Sequence, residues 1–383
     1  MSSRRSFVYL DNAATSLPKP KGVADAVAGA IRRAGNPGRS EHALAIRSAR
    51  DLFAARERLC ALLGGSDSSR FVFTANATAA LNMAIKGFVR PGDHVVTTSV
   101  EHNSVMRPLR RMAEAGTAVT VVPADRDGRV SPEAFVAAFR KKTRLAAVIH
   151  ASNVSGAIQP VAEIARAARA RGIATLVDAS QTAGSVPIDL SGLEVDMLAA
   201  PGHKGLLGPQ GTGFLYVRED VPLAPLIEGG TGSRSESDAQ PDFYPDHLES
   251  GTPNSVGIAG LGVALSYLLR RGVAAVRARE TALLEELFDG MKEIPRVTVS
   301  GPRDPALCAS VVSFTVEGMD PAEVSRRLES GYGILVRAGL HCSPGAHRTQ
   351  GTFPEGTVRV SPGPFTTGRE IALFLSALRS IAR

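Results

Sequence analysis

No apolar run in this chain approaches the length of a membrane span, so no membrane partner is expected. Cysteine is scarce. There are three, an odd number at wide spacing, which argues against a disulfide framework and fits a reducing compartment. Aromatic residues make up 5%, and no basic block is interleaved with them. The net charge of +7 is mild for 383 residues. Its arginines are scattered among alanines (Arg166, Arg169, Arg171; Arg277, Arg279), as on solvated helix faces. Nucleic acid is therefore not an expected partner. Arg4 and Arg5 precede no long apolar stretch, because Asp11 and Asn12 interrupt it, so the N-terminus does not read as a secretory signal. Internal repeats and low-complexity tails are also missing. These absences predict a cytoplasmic protein.

What is present is alternation. Strand-like runs at 70–74, 94–98, 118–122, 145–150 and 173–177 are followed by helical patterns at 77–88, 104–115, 132–141 and 161–171. Repeated strand–helix units predict an α/β fold, a mostly parallel sheet with helices on both faces. Ligands of such sheets sit at the carboxyl ends of the strands. The pattern changes near Glu228 into small polar loops. Helical patterns resume from Gly257, then strands near 297–299, 310–316, 334–337 and 357–361, with a last helix over 368–381. This reads as a large domain over residues 16–256 and a smaller α/β domain formed by 257–383 with segment 1–15.

Two strand ends carry chemistry. Ile173–Val177 ends on Asp178, and the run from Val195 delivers Gly202-His203-Lys204 before Gly205. An aspartate and a lysine so placed match the needs of pyridoxal 5'-phosphate. The lysine forms a Schiff base, and the aspartate keeps the pyridine nitrogen protonated so that the ring takes up electrons. Thr78, at a strand-to-helix junction, is placed to bind the phosphate, with free N–H groups and the helix dipole beside it. His203 is a candidate second phosphate donor, or else a packed turn histidine. His102, just past a strand, can stack on the ring and move protons. Asn153 and Gln181 are candidates to donate to the phenolic oxygen.

A second cluster is Arg337-Ala338-Gly339-Leu340-His341-Cys342-Ser343-Pro344-Gly345. Cys342 lies in a Gly/Ser/Pro loop read as flexible, beside His341 and near Arg337, which favours the nucleophilic thiolate. Cys60 and Cys308 lie in helical and strand surroundings and read as packing residues. His341, Cys342 and His347 would make an incomplete metal site, with no fourth ligand at a suitable spacing, and no metal is expected. Arg359 sits inside a strand-like run and is a candidate for a substrate carboxylate.

These residues together resemble the class V aminotransferases, and within them the cysteine desulfurases of the selenocysteine lyase-like group. The similarity runs from Tyr9-Leu10-Asp11-Asn12-Ala13-Ala14-Thr15 through Glu101-His102-Asn103, Val177-Asp178-Ala179-Ser180-Gln181 and Gly202-His203-Lys204. It continues through Glu249-Ser250-Gly251-Thr252-Pro253-Asn254 to the Cys342 loop and Arg359. It implies the pyridoxal-phosphate aminotransferase type I fold and a homodimer, with Thr252 reaching the phosphate held by the other subunit. It implies substrate contacts from Asn12, Ala13, Ala14 and Asn153, with His42 near the entrance. It implies conversion of L-cysteine to L-alanine with a persulfide on Cys342, for delivery to a sulfur-acceptor protein. The chain departs from the family pattern at Pro201, where a hydroxyl residue is usual, at Ala79, and just after Cys342. Two alternatives stand beside this reading. One is a class V enzyme that does not use Cys342: a selenocysteine or cystine lyase, transaminase or epimerase. The other is a non-catalytic sulfur-relay scaffold.

Overall fold

The structure is a computed structural model that describes residues 7–33, 35–38 and 41–383. Arg4 and Arg5, on which the N-terminal reading leaned, lie outside these residues, as do Arg39 and Ser40 next to His42. The first elements are β1 (Val8–Tyr9), α1 (Val23–Arg33), α2 (Ala43–Leu62), β2 (Phe71–Thr74), α3 (Ala77–Phe88), β3 (His94–Thr98) and α4 (Asn103–Glu114). They are followed by β4 (Ala118–Val122), α5 (Pro132–Ala137), β5 (Thr143–Ile149), α6 (Val161–Arg169), β6 (Ala174–Asp178), β7 (Met197–Pro201) and β8 (Gly213–Val217). The seven strands from β2 to β8 form one sheet in the order β2-β8-β7-β6-β5-β3-β4. Its side chains alternate between two cores. Phe71, Phe73, Val96, Ala146, Val148, Val177, Leu198 and Phe214 face one. Val72, Val95, Leu145, Leu176, Met197 and Leu215 face the other. This period of two is what a sheet covered on both faces requires.

The remaining elements are α7 (Ser255–Arg271), α8 (Val273–Lys292), β9 (Val297–Ser300), β10 (Val312–Val316), α9 (Pro321–Tyr332), β11 (Ile334–Leu335), β12 (Arg337–Gly339), α10 (Pro344–Gln350), β13 (Thr357–Val360) and α11 (Gly368–Ile381). Four of these strands make an antiparallel sheet, β12-β13-β10-β9. Its core takes Leu283, Leu287, Phe314, Leu328, Val358, Phe374 and Leu378. β1 pairs in parallel with β11, so the N-terminal segment runs beside this second sheet. Among the described residues no single helix is long and apolar enough to cross a membrane.

The structure departs from the sequence reading at four places. β8 runs antiparallel to both neighbours in the otherwise parallel sheet. Gly211 (φ 76°) turns the chain into it, and a Cβ on Gly213 would lie 2.8 Å from the Asn76 backbone. Those glycines are what let the strand lie against the α3 cap. Helix α5 stops at Ala137. The long helical region after Gly257 is two helices bent by 81° at Gly272. Helix α10 follows the cysteine loop, where no helix was expected.

Candidate active site

The carboxyl ends of β2, β3, β5, β6 and β7 open on one cavity of about 100 Å³. Its wall includes Thr78, His102, Asn153, Asp178, Gln181, His203 and Lys204. Seven of the residues singled out from the sequence are therefore brought together. Asp178 closes β6 and is 2% exposed, with the Ser180 amide donating to its Oδ1 at 2.9 Å. Lys204 follows β7 in a turn closed by Gly208 N donating to Gly202 O at 2.7 Å. The His203 carbonyl in that turn accepts from Ser16 N (2.9 Å), Ser16 Oγ (3.0 Å), Lys19 Nζ (3.0 Å) and Thr15 Oγ1 (3.3 Å). The Lys204 amine makes no hydrogen bond or ion pair among the described residues, and burial pushes it down to about 8.

The hydroxyl of Ser104 links two ends of the cavity. It lies 2.8 Å from Thr78 Oγ1 and 2.9 Å from His102 Nδ1. The Ser104 amide also donates to His102 Nδ1 at 3.0 Å, which caps α4 and leaves the ring proton on Nε2. Burial holds His102 neutral, down to about 4. His203 is likewise held down to about 4 by burial, with Lys204 and Lys19 adding repulsion, and its Nδ1 is buried without a partner. An orphaned buried nitrogen, a hydroxyl and the N-terminus of α3, with a carboxylate and an amine on the same cavity, fit a phosphorylated pyridine aldehyde.

The cysteine loop docks beside this cavity. Asn103 N donates to Cys342 O at 2.9 Å, and Asn153 Nδ2 donates to His341 O at 2.6 Å. Ser343 Oγ donates to Asn153 Oδ1 at 2.7 Å. The loop read as flexible is thus tied on both flanks of an exposed Cys342. Asn153 spends its carbonyl oxygen and one N–H on the loop, leaving one N–H for the cavity. The His341 ring turns inward to Thr357 Oγ1 (3.2 Å), away from the role of partner to the thiol. Among the described residues no group of three His, Cys, Asp or Glu is placed to hold a metal. Cys60 and Cys308 are buried, and burial pushes the Cys308 thiol up to about 12.

Arg359 is 1% exposed. It donates to Asp11 Oδ1 (2.9 Å) and Asn153 O (3.1 Å), while its Nε is buried without a partner. Asn12 Nδ2 donates to Ser361 O at 3.0 Å, and Gln181 Nε2 to Ala13 O at 3.2 Å, so segment 11–13 bridges the two sheets. Ala14 sits in the same turn, its amide donating to Asp11 O at 3.1 Å. His42 and Thr252 are not brought to the cavity. His42 is exposed and caps α2, accepting from Ala45 N at 3.3 Å. Thr252 lines a separate groove of about 640 Å³ with Phe73 and Met83.

Sequence reasoning missed Ser104, Asn103 and Asp11 as parts of this site. Ser104 and Asn103 stand next to His102, but small polar residues after a strand are ordinary helix starts. Asp11 is 348 positions from Arg359, and nothing local announces such a pair.

The pattern of the aminotransferase class-V family matches residues 8–374. The chain belongs to that family. Among class-V relatives, a probable cysteine desulfurase of Methanothermobacter thermautotrophicus is 37% identical over 99% of this chain and 95% of its own length. A cysteine desulfurase of Pectobacterium carotovorum is 31% identical over 98% and 93%. The apo cysteine desulfurase of Thermococcus onnurineus superposes with a TM-score of 0.90 at 32% identity, covering 98% of this chain and 94% of that one. The Escherichia coli cysteine desulfurase CsdA, in its S-sulfonic acid form, gives 0.89 at 28% identity, covering 98% and 94%. The class-V match and these neighbours agree with the α/β architecture expected from the sequence.

Proposed function

We propose that the protein is a pyridoxal-phosphate-dependent cysteine desulfurase. The observation that carries this is the docking of the Cys342 backbone on Asn103, one residue from His102 in the wall that also holds Asp178 and Lys204. Thr78, His203 and the α3 N-terminus would hold the cofactor's phosphate, and Asp178 would face its ring nitrogen. When bound, the cofactor supplies an electron sink for charge developing on the substrate. Lys204 would anchor it and, with a depressed amine, could take a proton from the substrate Cα. His102, neutral with its proton on Nε2, would lie against the ring and could donate. Arg359 keeps Nε–H free for the substrate α-carboxylate. The Cys342 thiolate attacks the substrate sulfur. An S–S bond forms, the substrate C–S bond breaks with its electron pair on carbon, and protonation there gives alanine and a Cys342 persulfide. A thiol tied on both flanks does not swing far, so a sulfur-acceptor protein would come to it.

The homodimer belongs to the same proposal. Thr252 and His42 lie off the cavity of their own chain, which supports their serving the other subunit's site. We also propose two domains. Packing supports carrying the larger one past 256, since Ile258, Leu261, Leu265 and Leu268 of α7 lie in its core. Free cysteines support a cytoplasmic location. The deciding experiment is alanine and sulfide release from L-cysteine by wild type and Cys342→Ala. Loss of both with the visible cofactor band intact is expected. Alanine at the wild-type rate would favour a class V enzyme that bypasses Cys342.

A further inference from the structure

His341 and Cys342 have φ of 47° and 61°. Two consecutive residues with a Cβ in the left-handed region are unfavourable, and such backbone persists only where the surroundings overdetermine it. Backbone anchors account for part: Asn153 on His341 O and Asn103 on Cys342 O. The other part lies behind the loop. The His341 ring, 4% exposed, packs on the ring of His347 with centroids 5.6 Å apart and planes 41° apart. His347 is fully buried in the last turn of α10, with Nδ1 2.7 Å from Thr352 Oγ1. His341 Nδ1 and His347 Nε2 are buried without partners. A charged ring at His341 would place an unpaired N–H at Nδ1, and Arg359 and Arg337 repel charge there. Burial accordingly holds His347 down to about 4, and His341 is held down by burial and both arginines. Two neutral flat rings therefore fill the space beneath the thiol-bearing turn. No step of the proposed reaction uses His347.

We propose that His347 is a positioning residue for Cys342. Its buried ring backs His341 and so keeps the 341–342 turn left-handed, with the thiol exposed. The inference rests on the reading of Cys342 as the nucleophile. The test compares His347→Ala and His347→Phe in cofactor-loaded protein. Three quantities are read: the visible cofactor band, the iodoacetamide alkylation rate of Cys342, and persulfide formed on the Cys342 peptide with L-cysteine. Both variants should keep the band. His347→Ala should be alkylated roughly fivefold more slowly, because the relaxed turn buries the thiol. It should form persulfide roughly tenfold more slowly, as for a displaced reactant. His347→Phe keeps a flat buried ring with no titrating nitrogen and should stay within about threefold of wild type on both counts. Unchanged or faster alkylation in folded His347→Ala overturns the proposal. So does a His347→Phe protein that keeps its band but loses persulfide formation. That second result also decides the matter if His347→Ala does not fold. Cys342→Ala turning over normally would instead remove the nucleophile reading, while the alkylation result would still stand.

Discussion

Gly345→Ala should stop sulfur transfer while sparing the cofactor site. Gly345 lies in the first turn of α10, at ordinary φ, so backbone freedom is not the issue. A Cβ there would lie 2.5 Å from Ser99 O, against 3.4 Å for an ordinary contact. The gap must open by about 0.9 Å. Ser99 is the fixed side. Its amide donates to Val122 O (2.9 Å), and its hydroxyl accepts from Ala124 N (3.0 Å). The cysteine loop must therefore give, and Cys342 O leaves Asn103 N. Misplacing a reacting group by about 1 Å costs about 100-fold, or about 2.7 kcal/mol of barrier. Alanine release from L-cysteine should fall by that order. The visible band and borohydride labelling of Lys204 should not change. Alanine in an unstrained helix is worth about 1 kcal/mol over glycine, so the sign of the melting shift is a second check: the clash predicts a lower midpoint. A folded variant with turnover within about threefold of wild type, a barrier change under about 0.7 kcal/mol, would refute the docking argument.

Lys204→Ala should abolish the visible band, and borohydride should label no other lysine; label elsewhere removes Lys204 from the anchoring role. Asp178→Asn should keep part of the cofactor but lose most turnover, because a neutral amide cannot hold the ring-nitrogen charge; activity within about threefold of wild type, under about 0.7 kcal/mol of barrier, would contradict this. Glu101, 1% exposed, is pushed up to about 8 by burial. Its folded form keeps a proton that the unfolded chain gives up, so the stability it contributes is full below about pH 4.5 and is lost as pH rises through about 8. Glu101→Gln cannot titrate and should flatten that decline by up to about 1.4 kcal/mol per pH unit; parallel melting profiles from pH 5 to 8 would refute it.

The cofactor end of the site was legible because it is built locally. Asp178 and Lys204 each end an apolar strand, and strand ends in a parallel sheet converge whatever the loops do. Helices α3 and α11 were bounded from their own residues, since Asn76 and the Thr367–Glu370 capping box mark their starts. What stayed hidden was pairing between distant segments. Arg359 was singled out as a buried charge, but its partner Asp11 is set by the N-terminal strand lying beside the second sheet. The stiffness of the Cys342 loop was hidden for the same reason. Glycine, serine and proline announce a turn, and the bonds to Asn103 and Asn153 make it a held one.

The two ends of the site therefore rest on different supports. Asp178 sits on a strand hydrogen-bonded on both sides, between two apolar cores, and its position is set by the folding of the whole sheet. Cys342 sits where one sheet's loop meets another sheet's edge, and a few polar contacts fix it: Asn103 N, the Asn153 amide and the Ser343 hydroxyl. Each such bond contributes only about 1 kcal/mol net. Losing one hardly troubles the fold but moves the thiol. Substitutions at this seam should separate sulfur transfer from cofactor chemistry, whereas substitutions beneath Asp178 should take both together. That is why the informative variants lie at Gly345 and His347, which touch neither the proposed cofactor nor the substrate.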